Sequence, residues 1–355
     1  MISIFWFGLV ALLVAMLALD LGVFHRRARA QTTGEALVWS AVWIATAFCF
    51  NGFIYFAYDN HWMGIGLEVG QESGGRQAAI EFLTAYLVEK SLSLDNILVI
   101  AVIFNYFAIP LANQHRVLFW GVVGALVLRA IFIVSGLALV ERFAWTTYIL
   151  GALLLAMAVK MLVDRNNHLR PEESRLIRAV ERRFAVTSEL HGPAFFARID
   201  GRWVATPLFL TLIVVESSDL LFAIDSVPAV IAVTNDNFLA FSSNAFAILG
   251  LRSLYFVIAP LIAKFRLLKI CLIFILAFIG AKMLLTHHYP LPTSVSLSFI
   301  LGALGVGIVA SLLGVGRDAP PAATPLVREP DRLEEARATP GEPKSRRTPP
   351  LEERP

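Results

Sequence analysis

Apolar runs of about 20 residues recur along the whole chain, the length that a helix needs to cross the hydrocarbon core of a bilayer. This recurrence restricts the fold to one that spans a membrane. Only 16% of the 355 residues are charged, whereas a soluble domain carries roughly 25%. The sequence therefore predicts an all-α, polytopic transmembrane helical bundle and argues against a cytosolic enzyme.

Nine apolar runs predict nine spans. They cover residues 2–24, 35–57, 79–104, 117–140, 144–163, 204–232, 239–263, 270–289 and 294–314. The first run begins at Met1 without a basic segment or a cleavage site, so we interpret it as a retained helix. The connections after spans 1, 3, 5 and 7 hold 15 Lys and Arg residues, against two in the connections on the other side. Since basic residues concentrate in cytoplasmic loops, we expect the N-terminus outside and the C-terminus in the cytoplasm.

Two segments stand apart from the predicted transmembrane domain, which covers residues 1–316. The tail, residues 317–355, holds nine prolines, eight acidic and eight basic residues, a composition that predicts disorder. The cytoplasmic loop 164–203 carries eight arginines, and its residues 171–184 have the spacing of an amphipathic helix. We expect this helix to lie on the anionic inner leaflet, with a regulatory or partner-binding role as the alternative.

Two groups of three consecutive spans share short sequences in the same order. The matching segments are Phe82-Leu83-Thr84 with Phe209-Leu210-Thr211, Glu89 with Glu216, Leu128-Arg129 with Leu251-Arg252, and Lys160-Met161-Leu162 with Lys282-Met283-Leu284. Span 3 enters from outside and span 6 from inside in the predicted topology. The pattern therefore predicts an inverted three-plus-three repeat, residues 79–163 and 204–289, which is typical of secondary transporters whose site lies where the halves meet.

Spans 3 and 6 carry more buried acid than the nearby cations can neutralise. The acids are Glu89, Asp95, Glu216, Asp219 and Asp225. Exposing such a group to lipid costs roughly 3 kcal/mol, so these carboxylates must face an interior or a watery cavity. The central cations are Lys90, Arg129 and Arg252, which we interpret as counter-ions. Surplus carboxylate indicates a cation site.

The donor atoms around these acids favour a hard cation. The neutral neighbours are oxygen donors, among them Ser93, Asn96, Ser226 and Asn244, and Asp20 in span 1 adds an accessory acid. Histidine and cysteine do not accompany them; Cys49 and Cys271 lack metal-ligand spacing, and we expect neither a disulfide nor a thiolate site. Oxygen ligands alone suit Mn²⁺, Mg²⁺ or Ca²⁺ better than Zn²⁺ or Cu⁺.

Helix geometry constrains how the acids can meet. Glu216 and Asp219 are three residues apart and share a helix face, but Asp225 and Asp95 are not in register with Glu216 and Glu89, respectively. Either the helix unwinds between the acids or the acids serve two sites. Pro228 favours unwinding because it frees a backbone carbonyl beside Asp225.

These same residues carry a resemblance to a known family. The segments 89–96, 215–229, 234–238 and 243–256, together with Asp20-Leu-Gly-Val-Phe-His-Arg26, resemble the signature segments of the TerC family of integral membrane proteins, including its Alx-type bacterial members. The resemblance covers about residues 1–315 and leaves the tail outside.

The resemblance implies an inner-membrane protein of a family that is named for tellurite resistance and includes manganese exporters. It further implies that the five acids of spans 3 and 6 line the ion path, with Asn96 and Ser226 as neutral metal ligands. Mn²⁺ would then be a transported substrate and not a permanently bound cofactor. Other members of the family are tied to the biogenesis of membrane proteins, so the resemblance alone leaves function open.

Two hypotheses follow, neither of which involves nucleic acid. The first is a Mn²⁺ exporter, with proton antiport as an option, that protects the cytoplasm and supplies exported metalloproteins. The second is a membrane scaffold that assists folding or metallation of exported proteins, with the basic loop and tail as docking surfaces. An intramembrane protease is disfavoured because the sequence has no Gly-rich aspartate motif and no HExxH site.

Overall fold

The computed structural model describes residues 2–25, 33–67, 74–163, 192–199, 202–259, 266–286, 289 and 291–312. The predicted amphipathic helix over 171–184 and the predicted disordered tail over 317–355 lie outside these ranges. Within them the chain is almost entirely helical, which confirms the all-α polytopic class predicted from the apolar runs.

Ten α-helices and one hairpin make up the described part of the chain. They are α1 (Ile2–His25), α2 (Thr33–Asp59), α3 (Gly75–Tyr106), α4 (Leu111–Arg142), α5 (Trp145–Val163), β1 (Phe196–Ile199), β2 (Arg202–Ala205), α6 (Pro207–Ile231), α7 (Asn237–Ile248), α8 (Leu251–Ile258), α9 (Arg266–Leu285) and α10 (Thr293–Leu312). A short 3₁₀ turn, Trp62–Gly64, follows α2. Every predicted span coincides with one of these helices, and the seventh span coincides with two, α7 and α8.

The number of spans stays a prediction. Among the described residues, α2, α4, α5, α6 and α10 are long and apolar enough to cross a membrane, and α7 with α8 forms a sixth candidate that bends by 42°. Helix α3 is 32 residues long but falls outside this group, since it carries Glu81, Glu89, Lys90 and Asp95. A helix that carries these charges is stable at membrane depth only when its polar face is covered by protein.

Helices α3 and α6 pack against each other, and the neighbouring contacts come in matching pairs. The contact between α4 and α6 corresponds to the contact between α7 and α3. The contact between α5 and α6 corresponds to the contact between α9 and α3, and α5 and α9 pack against each other. A two-fold relation between spans 3–5 and spans 6–8 would produce this pattern. The repeat itself stays a prediction, but the packing brings the two acid-bearing helices into contact as that prediction requires.

Both acid-bearing helices are continuous, so the predicted unwinding between the acids is wrong. Pro228 lies inside α6, which continues to Ile231, and α3 is likewise unbroken. A proline near the end of a helix removes one backbone donor without ending the helix. The alternative left open by the sequence, that the acids serve two sites, is the one that fits straight helices.

The break occurs in the seventh span instead. Helix α7 ends at Ile248 and α8 begins at Leu251, with Gly250 between them at φ +80°. A Cβ at Gly250 would lie 2.7 Å from the Trp43 ring, so both the left-handed backbone and the close approach of α2 require glycine. Lys90 Nζ donates to the carbonyl oxygen of Ala247 at 3.1 Å, which places a positive charge at the C-terminal end of α7, where the helix dipole favours it.

A short hairpin before α6 was not predicted. Strands β1 and β2 pair antiparallel, with Phe196 opposite Ala205 and Ile199 opposite Arg202. The intervening dipeptide Asp200-Gly201 is a common hairpin sequence, a signal that a search for apolar runs overlooks. Thr206 Oγ1 donates to the carbonyl of Ala194 at 2.8 Å, which ties the hairpin to the start of α6.

Candidate functional site

A buried arginine joins the two acid-bearing helices. Arg129 on α4 is 1% exposed, and its Nη1 donates to Oε1 of Glu89 on α3 and, at 2.9 Å, to Oγ of Ser226 on α6. Its Nη2 donates to Oδ1 of Asp219 on α6 at 3.3 Å. One guanidinium therefore holds a carboxylate from each predicted half of the molecule.

Glu89 lies at the most enclosed point of this cluster. Its side chain is 0% exposed, and its second oxygen accepts a hydrogen bond from Asn244 Nδ2 on α7 at 3.0 Å. Ser93, a predicted accessory residue, donates its hydroxyl to the backbone carbonyl of Glu89 at 2.8 Å. Side chains from α4 and α7 thus hydrogen-bond to one buried carboxylate of α3, as expected for a group whose burial costs free energy unless it is paired.

Asp219 is less completely bound. Asn96 Nδ2 contacts Asp219 Oδ1 at 3.5 Å, so that oxygen faces both an amide and Arg129. The other oxygen, Oδ2, is buried without a hydrogen-bond partner, as are Arg129 Nε and Asn244 Oδ1. Buried polar atoms are usually paired, and three unpaired atoms in one cluster indicate an arrangement that is incomplete without a ligand or a rearrangement.

Glu216 lies one helical turn before Asp219, as the three-residue spacing predicts. It is half-buried and within electrostatic reach of Asp219. Its carboxylate rests against the backbone of α4 at Gly124, where an added Cβ would overlap all three carboxylate atoms. The absence of a side chain at Gly124 is therefore what makes room for this carboxylate.

If Glu216 is a ligand of the predicted metal site, Gly124→Ala should reduce metal transport with little loss of stability. The overlapping group is the flexible end of Glu216, which can rotate away, while Ala in a helix interior is favoured over Gly by about 1 kcal/mol. Gly121→Ala is the matched control, since its Cβ would meet only Val215 Cγ1, at 3.3 Å. Metal efflux and melting temperature should be measured for both. Unchanged efflux in folded Gly124→Ala would remove Glu216 from the site.

The remaining predicted acids lie outside this cluster. Asp20 on α1 binds Arg252 on α8 through Oδ1 at 2.8 Å, and the same guanidinium nitrogen donates to the Asp20 carbonyl at 2.9 Å. Asp225 interacts electrostatically with Lys160 on α5. Asp95 is half-buried on α3. The structure thus gathers Glu89, Asn96, Arg129, Asp219, Ser226 and Asn244 into one cluster beside Glu216, and leaves Asp20, Asp95 and Asp225 outside it.

The cluster holds an arginine where the sequence predicts a metal. Within the described ranges, no three acidic, histidine or cysteine side chains converge closely enough to bind a metal ion. The Arg129 guanidinium occupies the space between Glu89 and Asp219. The ligand set named from the sequence stays a prediction. For a metal to bind there, these carboxylates would have to release the guanidinium.

A second charged group lies near the start of α3, where the sequence predicts a solvated glutamate at the outer end of span 3; the structure buries it instead. Glu81 is 8% exposed, accepts a hydrogen bond from Gln77 Nε2 at 2.9 Å, and interacts with Lys282 on α9, which is also 8% exposed. Nearby, Tyr58 donates its hydroxyl to Asp236 Oδ2 at 2.6 Å, and Asp236 caps α7. Glu81 precedes Glu89 by eight residues and so lies on a similar face of α3, a spacing that could have indicated its burial.

Comparisons with known proteins identify a family of membrane proteins. Residues 74–318 match the family described as "Integral membrane protein TerC family". A Myxococcus xanthus protein, "Uncharacterized membrane protein STKORF319", is 47% identical over 308 residues, which cover 87% of this chain and 92% of that protein. An Escherichia coli (strain K12) protein, "Putative membrane-bound redox modulator Alx", is 42% identical over 300 residues, 84% of this chain and 91% of that one. No solved structure matches significantly.

Proposed function

The chain belongs to the TerC family of integral membrane proteins, and we propose that it exports divalent metal cations, Mn²⁺ foremost, from the cytoplasm. It is a multi-pass membrane protein; we further propose the bacterial inner membrane as its location, with the N-terminus outside. Exported metalloproteins would be the partners that receive the metal.

One observation carries the proposal: carboxylates from α3 and α6 meet inside the bundle at a single guanidinium. Charged groups at membrane depth are costly and mark ion pathways in most membrane proteins that have them. The cluster lies between the two predicted halves, which is where secondary transporters bind their substrates. Its remaining donors are amide and hydroxyl oxygens, a set that suits a hard divalent cation.

The proposed mechanism is alternating access. The cation enters from the cytoplasm and binds between α3 and α6, where it is held by Glu89, Asp219 and Glu216. One half then rocks against the other and opens the site to the outside. Because close carboxylates compete for protons, we propose that protons return in exchange.

Purified protein in liposomes tests the function. We expect Mn²⁺ to cross the bilayer in a protein-dependent manner, faster than Mg²⁺, Ca²⁺ or Zn²⁺, and to respond to a pH step across the membrane. Glu216→Gln, which keeps the size of the side chain and removes its charge, should reduce Mn²⁺ flux by at least about tenfold, the scale of a 1.4 kcal/mol loss. In cells, the same variant should accumulate more Mn²⁺ than wild type.

Two outcomes would count against transport. Purified wild type that moves none of the four ions would favour the scaffold hypothesis, in which the acids stabilise the bundle and partners dock outside it. Wild-type flux in the Glu216→Gln variant would show that the site lies elsewhere. Glu141→Gln is the matched control, since Glu141 is an exposed glutamate at the end of α4.

A further inference from the structure

We infer that Arg129 is a tethered cation that occupies the substrate position when the site holds no metal, and that metal binding displaces its guanidinium from Glu89 and Asp219. The inference deepens the proposed function and rests on it. It assigns a substrate-exchange role to a residue that a static reading would treat as a structural counter-ion.

The position of the guanidinium is the first argument. Its nitrogens contact one carboxylate of α3, one carboxylate of α6 and the hydroxyl of Ser226, all of which are predicted metal ligands. A cation bound between Glu89 and Asp219 would lie where the guanidinium lies now. Both cannot occupy the space together, because a guanidinium has no lone pair to offer a metal and repels it.

The incomplete bonding is the second argument. Buried ion pairs stabilise a protein only when hydrogen bonds satisfy their remaining polar atoms, yet Arg129 Nε, Asp219 Oδ2 and Asn244 Oδ1 have no hydrogen-bond partner. The two unpaired oxygens belong to side chains on α6 and α7 that already contact the cluster. Asn244 is 1% exposed. These oxygens are acceptors that a guanidinium leaves unused and that an oxygen-seeking divalent cation would take as ligands.

The charge balance is the third argument. Without Arg129, Glu89 and Asp219 would be two uncompensated carboxylates in the bundle interior, a state of high free energy. The tethered guanidinium offsets one of these two negative charges between transport events, so the protein can return without a bound metal while a proton on a neighbouring carboxylate offsets the other. The same guanidinium competes with the metal and thereby weakens its binding, which helps release on the far side.

The test compares Arg129→Gln with Arg116→Gln. Both arginines lie on α4, but Arg116 is stacked 4.9 Å over the Phe195 ring, away from the acids. We expect purified full-length Arg129→Gln to bind Mn²⁺ at least about tenfold more tightly than wild type in calorimetry, within the usual range of coupling between sites, and to move Mn²⁺ more slowly in liposomes. Arg116→Gln should bind Mn²⁺ as wild type does.

A structural role for Arg129 predicts the opposite result. If the guanidinium only held the acids in place, Arg129→Gln would bind Mn²⁺ equally or more weakly, and the inference would be overturned. If Arg129→Gln does not fold, Arg129→Lys decides, because an ammonium cannot bridge two carboxylates as a planar fork does and should therefore compete less. Affinity for Mn²⁺ should then rise; an unchanged or lower affinity in the lysine variant overturns the inference.

Failure of this inference is distinguishable from failure of the proposed function. Wild type that neither binds nor transports Mn²⁺ refutes the function itself. Wild type that transports Mn²⁺ in a Glu216-dependent manner, together with an Arg129 variant that binds no more tightly, retains the function and refutes only the exchange role.

Discussion

Glu89→Gln is expected to abolish metal export and to lower the melting temperature by several degrees. Glutamine keeps the size of the side chain but removes the charge, so Arg129 retains only Asp219 as an acidic partner. The guanidinium thereby loses its fully buried charged acceptor, and a hydrogen bond to a charged group contributes about 1.5–3 kcal/mol to stability. Liposome flux and thermal unfolding in detergent measure the two effects.

Comparison with Glu216→Gln separates stability from function. Glu216 is half-buried, so its neutralisation should cost export and leave the melting temperature nearly unchanged. Glu141→Gln, at the exposed end of α4, should alter neither quantity. A Glu89→Gln variant that melted at the wild-type temperature would mean that Glu89 does not neutralise Arg129 in the folded protein.

Gly250→Ala is expected to produce a large loss of stability from a single methyl group. Holding a non-glycine residue at positive φ costs about 1–3 kcal/mol, and forcing a Cβ into the Trp43 ring adds a further overpacking cost of about 1–3 kcal/mol. The predicted outcome is a strongly reduced yield of folded protein and a lower melting temperature.

Gly302→Ala is the control for this variant. Gly302 lies in α10, where an added Cβ would meet no atom within 4 Å, so the substitution should be neutral or slightly stabilising. If Gly250→Ala unfolded at the wild-type temperature, the break between α7 and α8 could accommodate a side chain without strain. The positive φ of Gly250 would then not be required by the fold.

The helices and the acids of the site could be predicted because both can be recognised from the order of residues along the chain. An apolar run of bilayer length predicts a helix wherever it occurs, and a carboxylate within such a run must be covered by protein. Glu89 and Asp219 were accordingly placed on facing helices. Their common partner was not identified, because sequence spacing does not tell which of Lys90, Arg129 and Arg252 reaches which acid.

The position of the helix break shows the limit of local signals. Pro228 is the stronger helix breaker by propensity, yet α6 continues past it for three residues. Helix α7 instead ends just before Gly250, which lies against Trp43 on α2, about 200 residues earlier in the chain. Lys90 likewise donates to the Ala247 carbonyl, which can accept this bond because α7 ends there and leaves the carbonyl without a partner inside the helix.

The contacts of α1 and α2 with the rest of the bundle limit how far the protein can be truncated from its N-terminus. The family match begins at residue 74, but Asp20 neutralises Arg252, and Tyr58 binds the cap of α7. A truncated protein starting at that boundary would leave the buried Arg252 guanidinium without its carboxylate partner. It would also lack Trp43, which packs against Gly250. The family match therefore does not bound the folding unit, which we expect to include α1 and α2.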